Sequence, residues 1–142
     1  VGVLDGGANR TDTDISLYDL SDIVLLPFRD SPEDLRTVMH DLELFPRAFA
    51  IPSQWPCNKW QKEAADKLVA SLPTEFQPRI LEPVFAISSS KQLLQIRPPE
   101  ILPAALNKAT RKLAHQILDE VEGNEETVLN ALTQAISRSA GS

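Results

Sequence analysis

The sequence is poor in the residues that build redox and metal sites. Among its 142 residues it has one cysteine, Cys57, and two histidines, His40 and His115. A single cysteine cannot form a disulfide within the chain, and the three side chains are too widely spaced to predict a zinc site. Cys57 also has no histidine or second cysteine near it in sequence, so thiolate catalysis is not expected. This cysteine usage favours a cytoplasmic protein with a reduced thiol.

Long hydrophobic runs and clustered positive charge are also scarce. The longest apolar runs, such as residues 23–28, have about six residues, whereas a membrane-spanning helix needs about 20. No basic and then apolar leader is visible at the start, which again favours the cytoplasm. The net charge of −6 argues against general nucleic-acid binding, because phosphate contacts need clustered lysine and arginine. The apolar share of 42% is enough to build a folded core.

What the chain does have is an alternation of strand-like and helix-like segments over its first 85 residues. The strand patterns cover residues 1–4, 22–28, 47–52 and 78–85. After Asp22, residues 23–28 are apolar throughout, as in a strand buried on both faces, and the last segment carries a proline typical of an edge or an end. This alternation predicts an α/β fold with a mainly parallel sheet, right-handed crossovers and helices on both faces.

Three helices are predicted between these strands. A short helix is expected over residues 14–20. The second helix, 31–45, begins with Ser31 as its N-cap, and the third, 58–72, begins with Asn58 as its N-cap. Each of the two longer helices has apolar residues at helical spacing, which predicts one buried face. These residues are Leu35, Val38, Met39 and Leu42 in the second helix, and Trp60, Ala64, Leu68 and Leu72 in the third.

The chain changes character near residues 96–99, after which no strand pattern occurs. The apolar period predicts a helix that ends at Gly123, as helices often end at glycine, and a final helix over residues 124–138. We therefore expect an α/β domain at 1–97, C-terminal helices packing on it at 98–138 and a tail at 139–142.

The opening stretch VGVLDGGANRTD carries the first candidate for chemistry. Asp5 ends a predicted strand, and Gly6 and Gly7 follow it directly. A carboxylate at the end of a buried strand suits coordination of a magnesium-bound water, and the glycines let the backbone approach a phosphate. Asp5 could equally cap the turn made by the polar residues that follow. The residues alone leave both roles open.

Two segments together resemble the second half of the ParA/MinD family of deviant-Walker P-loop ATPases. The first is the apolar stretch ending at Asp5 with its glycines, which is similar to the Walker B strand and switch loop of that family. The second is SDIVLLPFRDSPEDLRTV, in which Asp22 precedes an apolar strand that Pro27 ends. The resemblance covers residues 1–45 well and residues 46–96 more loosely.

The resemblance implies a partial P-loop NTPase fold, with ATP and Mg as cofactors. The partner it implies is a second copy in a homodimer or the missing N-terminal half. It implies that Asp5 is the catalytic acid, which holds Mg through a water. The implied nucleotide-binding residues are Gly6, Gly7, Pro27, Ser53 and Asn58. By its composition the basic segment 107–115 is a solvated helix face. The resemblance makes it a candidate contact for DNA or an adaptor protein, through Lys108, Arg111 and Lys112.

One part of the family pattern is missing from the sequence. The chain has five glycines and no G-x-x-x-x-G-K-[ST] phosphate loop, so we do not expect it to hydrolyse ATP alone. Two explanations stay open. The chain is the C-terminal part of an ATPase switch protein for DNA partition or intracellular positioning, which its start at a strand favours, or it is a non-catalytic α/β protein–protein interaction module. A receiver-like phospho-acceptor domain fits less well, because the required acidic pair is lacking.

Overall fold

The chain folds as a mixed α/β protein around a small parallel sheet. The computed structural model describes residues 2–6, 11–83, 91, 95, 97 and 103–141. β1 and β2 are parallel neighbours, with Val24 opposite Ala48 and Phe28 opposite Pro52, so the predicted α/β class with parallel strands is confirmed. The elements in chain order are α1 (Thr11–Leu20), β1 (Val24–Phe28), α2 (Pro32–Leu44), β2 (Ala48–Pro52), α3 (Lys59–Ala70), a 3₁₀ turn (Gln77–Arg79) and α4 (Ala104–Ala140).

The two faces of the sheet pack against different parts of the chain. On one face the core joins Phe28 and Ala50 to the buried side chains of α2 and to Trp55. On the other face Phe49 and Ile51 pack with buried Leu81 and half-buried Leu113 of α4. β2 is buried at all five of its positions, whereas β1 is fully buried only at Phe28. The prediction that β1 is buried on both faces is therefore met only in part.

The start of α2 follows from local chemistry. The Ser31 hydroxyl accepts a hydrogen bond from the backbone N–H of Asp34 at 3.1 Å, and Pro32 occupies the first turn, where its missing N–H costs nothing. Leu35, Val38 and Leu42 are buried on one face of α2. Both the N-cap and the buried face agree with the sequence prediction.

The predicted strand at 78–85 is reduced to a single bridge in the described residues. Ile80 pairs in parallel with Ala50, and the backbone N–H of Leu81 donates to the Ala50 carbonyl at 2.8 Å. Pro78 lies in the 3₁₀ turn just before this bridge, and Pro83 follows it. Both prolines lack the N–H that a longer ladder would use. Residues 84 and 85 lie outside the described part.

The predicted strand at 1–4 is wrong for the residues that the structure describes. Residues 2–6 have no regular secondary structure, and Val3 is 91% exposed. A strand is held by hydrogen bonds to a neighbouring strand, and none of the described strands pairs with this segment. Asp5 therefore does not stand at the end of a strand in this structure.

The buried face of α3 differs from the prediction. Asn58 caps the helix as expected, but Trp60 is 79% exposed and Ala64 is exposed. Ala65 is the buried residue of this helix, and Leu72 is buried just beyond its end. Two adjacent alanines give no apolar signal that separates one face from the other, so the prediction placed the face one residue early.

α4 is one continuous helix, whereas two helices had been predicted with a break at Gly123. The break would need a left-handed glycine at the end of the first helix, and Gly123 does not have a positive φ. The first half of α4 packs on the sheet through half-buried Leu113, and Leu106 near its start is fully buried. From Glu122 onward, every residue of α4 whose side chain the structure describes is exposed.

Candidate functional site: the free edge of β1

One edge of β1 has no strand partner among the described residues. The backbone N–H of Val24 donates to the Arg47 carbonyl at 3.3 Å, and the N–H of Ser53 donates to the Phe28 carbonyl at 2.8 Å. Alternate residues of a strand in a parallel pair direct their backbone groups to opposite sides. Leu25 and Pro27 therefore direct theirs away from β2. Leu25 offers a donor and an acceptor at this free edge, and Pro27 offers its carbonyl only.

A cleft of about 850 Å³ lies along this edge. Apolar side chains from both faces of the sheet reach it, because α1 and α2 border one side and Leu113 of α4 lies on the other. Exposed apolar surface beside unpaired backbone groups is a common form of docking surface for another chain. The lining residues are Leu4, Asp5, Gly6, Asp14, Leu17, Tyr18, Ser21, Ile23, Val24, Leu25, Leu26, Pro27, Phe28, Asp34, Thr37, Val38, Asp41, Phe45, Ile51, Ser53 and Leu113.

Among the described residues, the charged side chains that line the cleft are all aspartates. They are Asp5, Asp14, Asp34 and Asp41, and no lysine or arginine in the described ranges lines the cleft. Burial raises the pKa of Asp41, the positive charge on His40 opposes this, and the nearby Asp14 carboxylate raises it further. The cleft therefore favours cations over anions.

Asp34 differs from the other three aspartates because it is already paired. Its carboxylate accepts hydrogen bonds from the backbone N–H of Arg29 at 3.0 Å and from the Arg29 guanidinium at 3.1 Å. These contacts hold the pKa of Asp34 below its usual value, and the hydrogen bond from the Arg29 backbone has the largest effect. No cation in the described residues makes an ion pair with Asp5, Asp14 or Asp41 within 4.0 Å.

A smaller cleft of about 220 Å³ lies at the carboxyl ends of the two strands. Phe28 and Arg29 after β1 border it, together with Ser53 and Gln54 after β2. Gln54 has a φ of 52°, a left-handed backbone that is uncommon for a residue other than glycine. Ligands of parallel α/β sheets bind at this end of the strands.

Four of the predicted site residues line the same cleft. Asp5, Gly6, Pro27 and Ser53 come from three separate segments, and all border the larger cleft. Asp5 itself is exposed. At Gly6, an added methyl group would make ordinary contacts with the Asp14 carboxylate at 3.7 Å and with Leu17 at 4.0 Å. Gly7 lies outside the described residues.

Asn58, predicted to read a nucleotide base, has a structural role instead. Its side-chain oxygen accepts a hydrogen bond from the backbone N–H of Trp60 at 3.0 Å and a second from Gln61 at 3.5 Å. These are the contacts of a helix N-cap, and they occupy the oxygen. Neither cleft described above includes Asn58 among its lining residues.

The described residues do not form a metal site by themselves. They contain no group of three or more histidine, cysteine, aspartate or glutamate side chains placed to hold an ion. Asp5 is exposed and outside any strand, so the residues present do not fit a magnesium ion without further ligands.

The predicted DNA-contact residues lie on the first half of α4, and all three are exposed. Lys112 already has a partner within the chain, because its ammonium is 2.6 Å from the Glu82 carboxylate. This hydrogen bond lowers the pKa of Glu82. The Gln116 side chain accepts a hydrogen bond from the Glu82 backbone N–H at 3.0 Å. This hydrogen bond and the Lys112–Glu82 ion pair attach α4 to the chain that follows β2. Lys108 and Arg111 are thus left as the exposed cations of this segment.

Sequence reasoning missed the residues that shape the cleft at the α1 end. The Arg47 guanidinium lies 4.5 Å from the centre of the Tyr18 ring and donates to the Tyr18 carbonyl at 2.8 Å. The Tyr18 ring also packs on Phe45 with 4.9 Å between ring centres. These contacts hold α1 against the turn between α2 and β2. They join residues far apart in sequence, so no local motif predicts them.

None of the helices in the described ranges is both long enough and apolar enough to cross a membrane. No protein-family model, curated protein sequence or solved structure matches this chain.

Proposed function

We propose that this chain is part of a ParA/MinD-like ATPase switch, acting in DNA partition or intracellular positioning in the cytoplasm. ATP and Mg are its cofactors, and the phosphate loop is supplied by a segment outside these 142 residues. We do not expect the chain alone to hydrolyse ATP, because its sequence has no phosphate-loop motif to supply a backbone cradle and a lysine for the phosphates.

One observation carries this proposal. Asp5, Gly6, Pro27 and Ser53 were assigned to a nucleotide site by resemblance, and all four border one cleft beside a parallel sheet. The smaller cleft, which shares Pro27 and Ser53 with this one, lies at the carboxyl ends of β1 and β2, where α/β proteins bind ligands. The parallel order β1–α2–β2–α3 is also what the resemblance requires.

The charge of the cleft explains why the chain needs a further segment. A triphosphate placed here alone would meet the carboxylates of Asp5, Asp14 and Asp41, and like charges repel. A phosphate loop offsets this repulsion with backbone N–H groups and lysines. The role of this chain is then to form one wall of the site and to place the Ser53 and Asp5 side chains against the nucleotide.

In such a switch the nucleotide controls a homodimer, which contacts DNA or an adaptor protein. Lys108 and Arg111 are the exposed cations available for this contact on α4. A double charge reversal, Lys108→Glu with Arg111→Glu, tests it by anisotropy of labelled duplex DNA with the dimeric protein. We expect a loss of about tenfold or more in affinity. Equal affinity of the two proteins would leave the adaptor protein as the partner.

The test of the ATPase proposal is binding of a fluorescent ATP analogue in the presence of Mg. It is measured on the 142-residue chain and on the product of the whole reading frame that encodes it. We expect no binding to the chain and micromolar binding to the whole product. Asp5→Asn should weaken binding to the whole product by about tenfold or more, and Asp19→Asn, an exposed aspartate of α1, should not. No binding by the whole product would contradict the proposal.

The second candidate function is a non-catalytic protein–protein interaction module. Two observations favour it: Asp5 lies outside any strand, and Asn58 is used as a helix cap. If the whole product fails to bind the analogue but binds another protein through the β1 edge, this second function is supported.

A further inference from the structure

The free edge of β1 has the properties of a docking site for an extended segment of polypeptide. Leu25 directs an N–H and a carbonyl away from β2, and the Pro27 carbonyl follows on the same side. Because Pro27 lacks an N–H, an added strand has its full set of backbone partners only around Leu25. This places the segment over the middle of β1, beside Leu17 of α1 and Leu113 of α4, which both line the cleft.

The charge of the cleft identifies the chemistry of that segment. Asp14 and Asp41 are close enough for the negative charge of one to raise the pKa of the other, and neither has an ion-pair partner in the described residues. Asp5 borders the same cleft and is also without one. A lysine or arginine on the docked segment would relieve this repulsion, whereas an acidic segment would increase it.

We propose that the β1 edge binds an extended, basic segment of another polypeptide, which adds to the sheet as a strand. Apolar side chains of the segment cover Leu25 and the floor of the cleft, and its flanking lysines or arginines meet Asp14 and Asp41. This inference goes beyond the proposed function, since the docked segment belongs to another polypeptide, and it does not depend on nucleotide binding.

The probe is a synthetic peptide of about nine residues, the length of a long strand, with alternating valine and threonine between lysine pairs. Its matched control has glutamate in place of every lysine. Both are labelled and titrated with the 142-residue chain by fluorescence anisotropy. We expect the lysine peptide to bind at least about tenfold more tightly than the glutamate peptide. Its affinity should fall as sodium chloride rises from about 0.05 to about 0.5 M.

Two double variants locate the binding. The double variant Asp14→Asn with Asp41→Asn should bind the lysine peptide about fivefold or more weakly than the parent chain. Asp19→Asn with Asp30→Asn removes the same charge from exposed aspartates outside the cleft lining and should change the affinity by less than about twofold. Hydrogen exchange at the Leu25 amide should slow when the peptide binds, which a purely electrostatic contact elsewhere would not cause.

Three results would overturn the inference: equal affinity for the two peptides, no binding by the lysine peptide, or an equal loss in the two double variants. The peptide experiment contains no nucleotide. If the lysine peptide does not bind but the whole reading-frame product binds the ATP analogue, the docking site is excluded and the ATPase proposal stands. If the lysine peptide binds but the whole product does not bind the analogue, the docking site stands and the ATPase proposal is excluded.

Discussion

The Arg79 guanidinium donates a hydrogen bond to the Leu42 carbonyl at 2.9 Å, across 37 positions of sequence. It also donates to the Phe45 carbonyl at 2.5 Å and, through Nε, to the Ala48 carbonyl at 2.9 Å. One side chain thus satisfies carbonyls at the end of α2 and at the start of β2. Carbonyls in the last turn of a helix have no partner within the helix, so this contact fixes how α2 leads into the sheet.

We predict that Arg79→Met lowers the free energy of unfolding by about 2–4 kcal/mol, because half-buried carbonyls lose charged donors. Urea denaturation measures the change. Arg36→Met, at an exposed position on α2, is the matched control and should stay within about 0.5 kcal/mol of the parent. An equal effect of the two substitutions would mean that the three contacts of Arg79 contribute nothing to stability.

Asn58 is predicted to act as a cap and not as a nucleotide ligand. Asn58→Ala should lower the free energy of unfolding by about 1 kcal/mol, since the Trp60 and Gln61 N–H groups lose their acceptor. Asn58→Asp keeps the acceptor and places negative charge at the helix start, so it should preserve stability. Analogue binding by the whole product should be the same for Asn58→Asp and the parent. A large loss of binding in this variant would restore the base-reading role.

The contact between Trp55 and Asp66 predicts a change of stability with pH. The Lys62 ammonium, at 2.7 Å, and the Trp55 indole N–H, at 3.0 Å, both donate to the Asp66 carboxylate and lower its pKa. Because the pKa of Asp66 is lowered by folding, the ionised carboxylate stabilises the folded state at pH values above its ordinary pKa of 3.8. This stabilisation is lost as the pH falls through the lower pKa of the folded state.

Asp66→Asn should therefore be less stable than the parent at pH 7 and should approach it once the pH falls below the lowered pKa of Asp66. The difference at pH 7 should be under about 1 kcal/mol, because the carboxylate is largely exposed. Thermal denaturation over this pH range measures it, with Glu63→Gln on the same helix as a control. A difference that does not change with pH would exclude the ionised carboxylate as its source.

Gly123 tests whether α4 is continuous. In one continuous helix, Gly123→Ala should increase stability by about 0.5–1 kcal/mol, because alanine is the better helix former and its methyl group has no neighbour within 4 Å. If Gly123 instead ended one helix in a left-handed conformation, alanine would be strained and the same substitution would destabilise. The sign of the change in the thermal midpoint separates the two structures.

How far the sequence predicts this fold depends on the range of the interactions involved. α2 was predicted well because its signals are local: Ser31 caps it, Pro32 starts it, and Leu35, Val38 and Leu42 recur at helical spacing. β2 was predicted for the same reason, from a short apolar run. The strand expected at 1–4 was wrong, since apolar residues allow a strand but only a neighbouring strand holds it in place.

The candidate site was predicted in part. The sequence pointed to Asp5, Gly6, Pro27 and Ser53, and these four do border one cleft. It did not point to Asp14 and Asp41, whose meeting depends on how α1 and α2 pack, or to Arg47 and Tyr18, which hold that packing. Such contacts between distant segments carry no periodicity or spacing that a single sequence reveals.

The most direct test of the account is amide hydrogen exchange in β1 of the 142-residue chain, followed by NMR at low protein concentration. In the ladder with β2 the Leu26 N–H is bonded and the Leu25 N–H faces the free edge. We predict slow exchange at Leu26 and fast exchange at Leu25. Equally slow exchange at both amides would show that another part of the chain already covers the edge, and it would contradict the claim that β1 is open for docking.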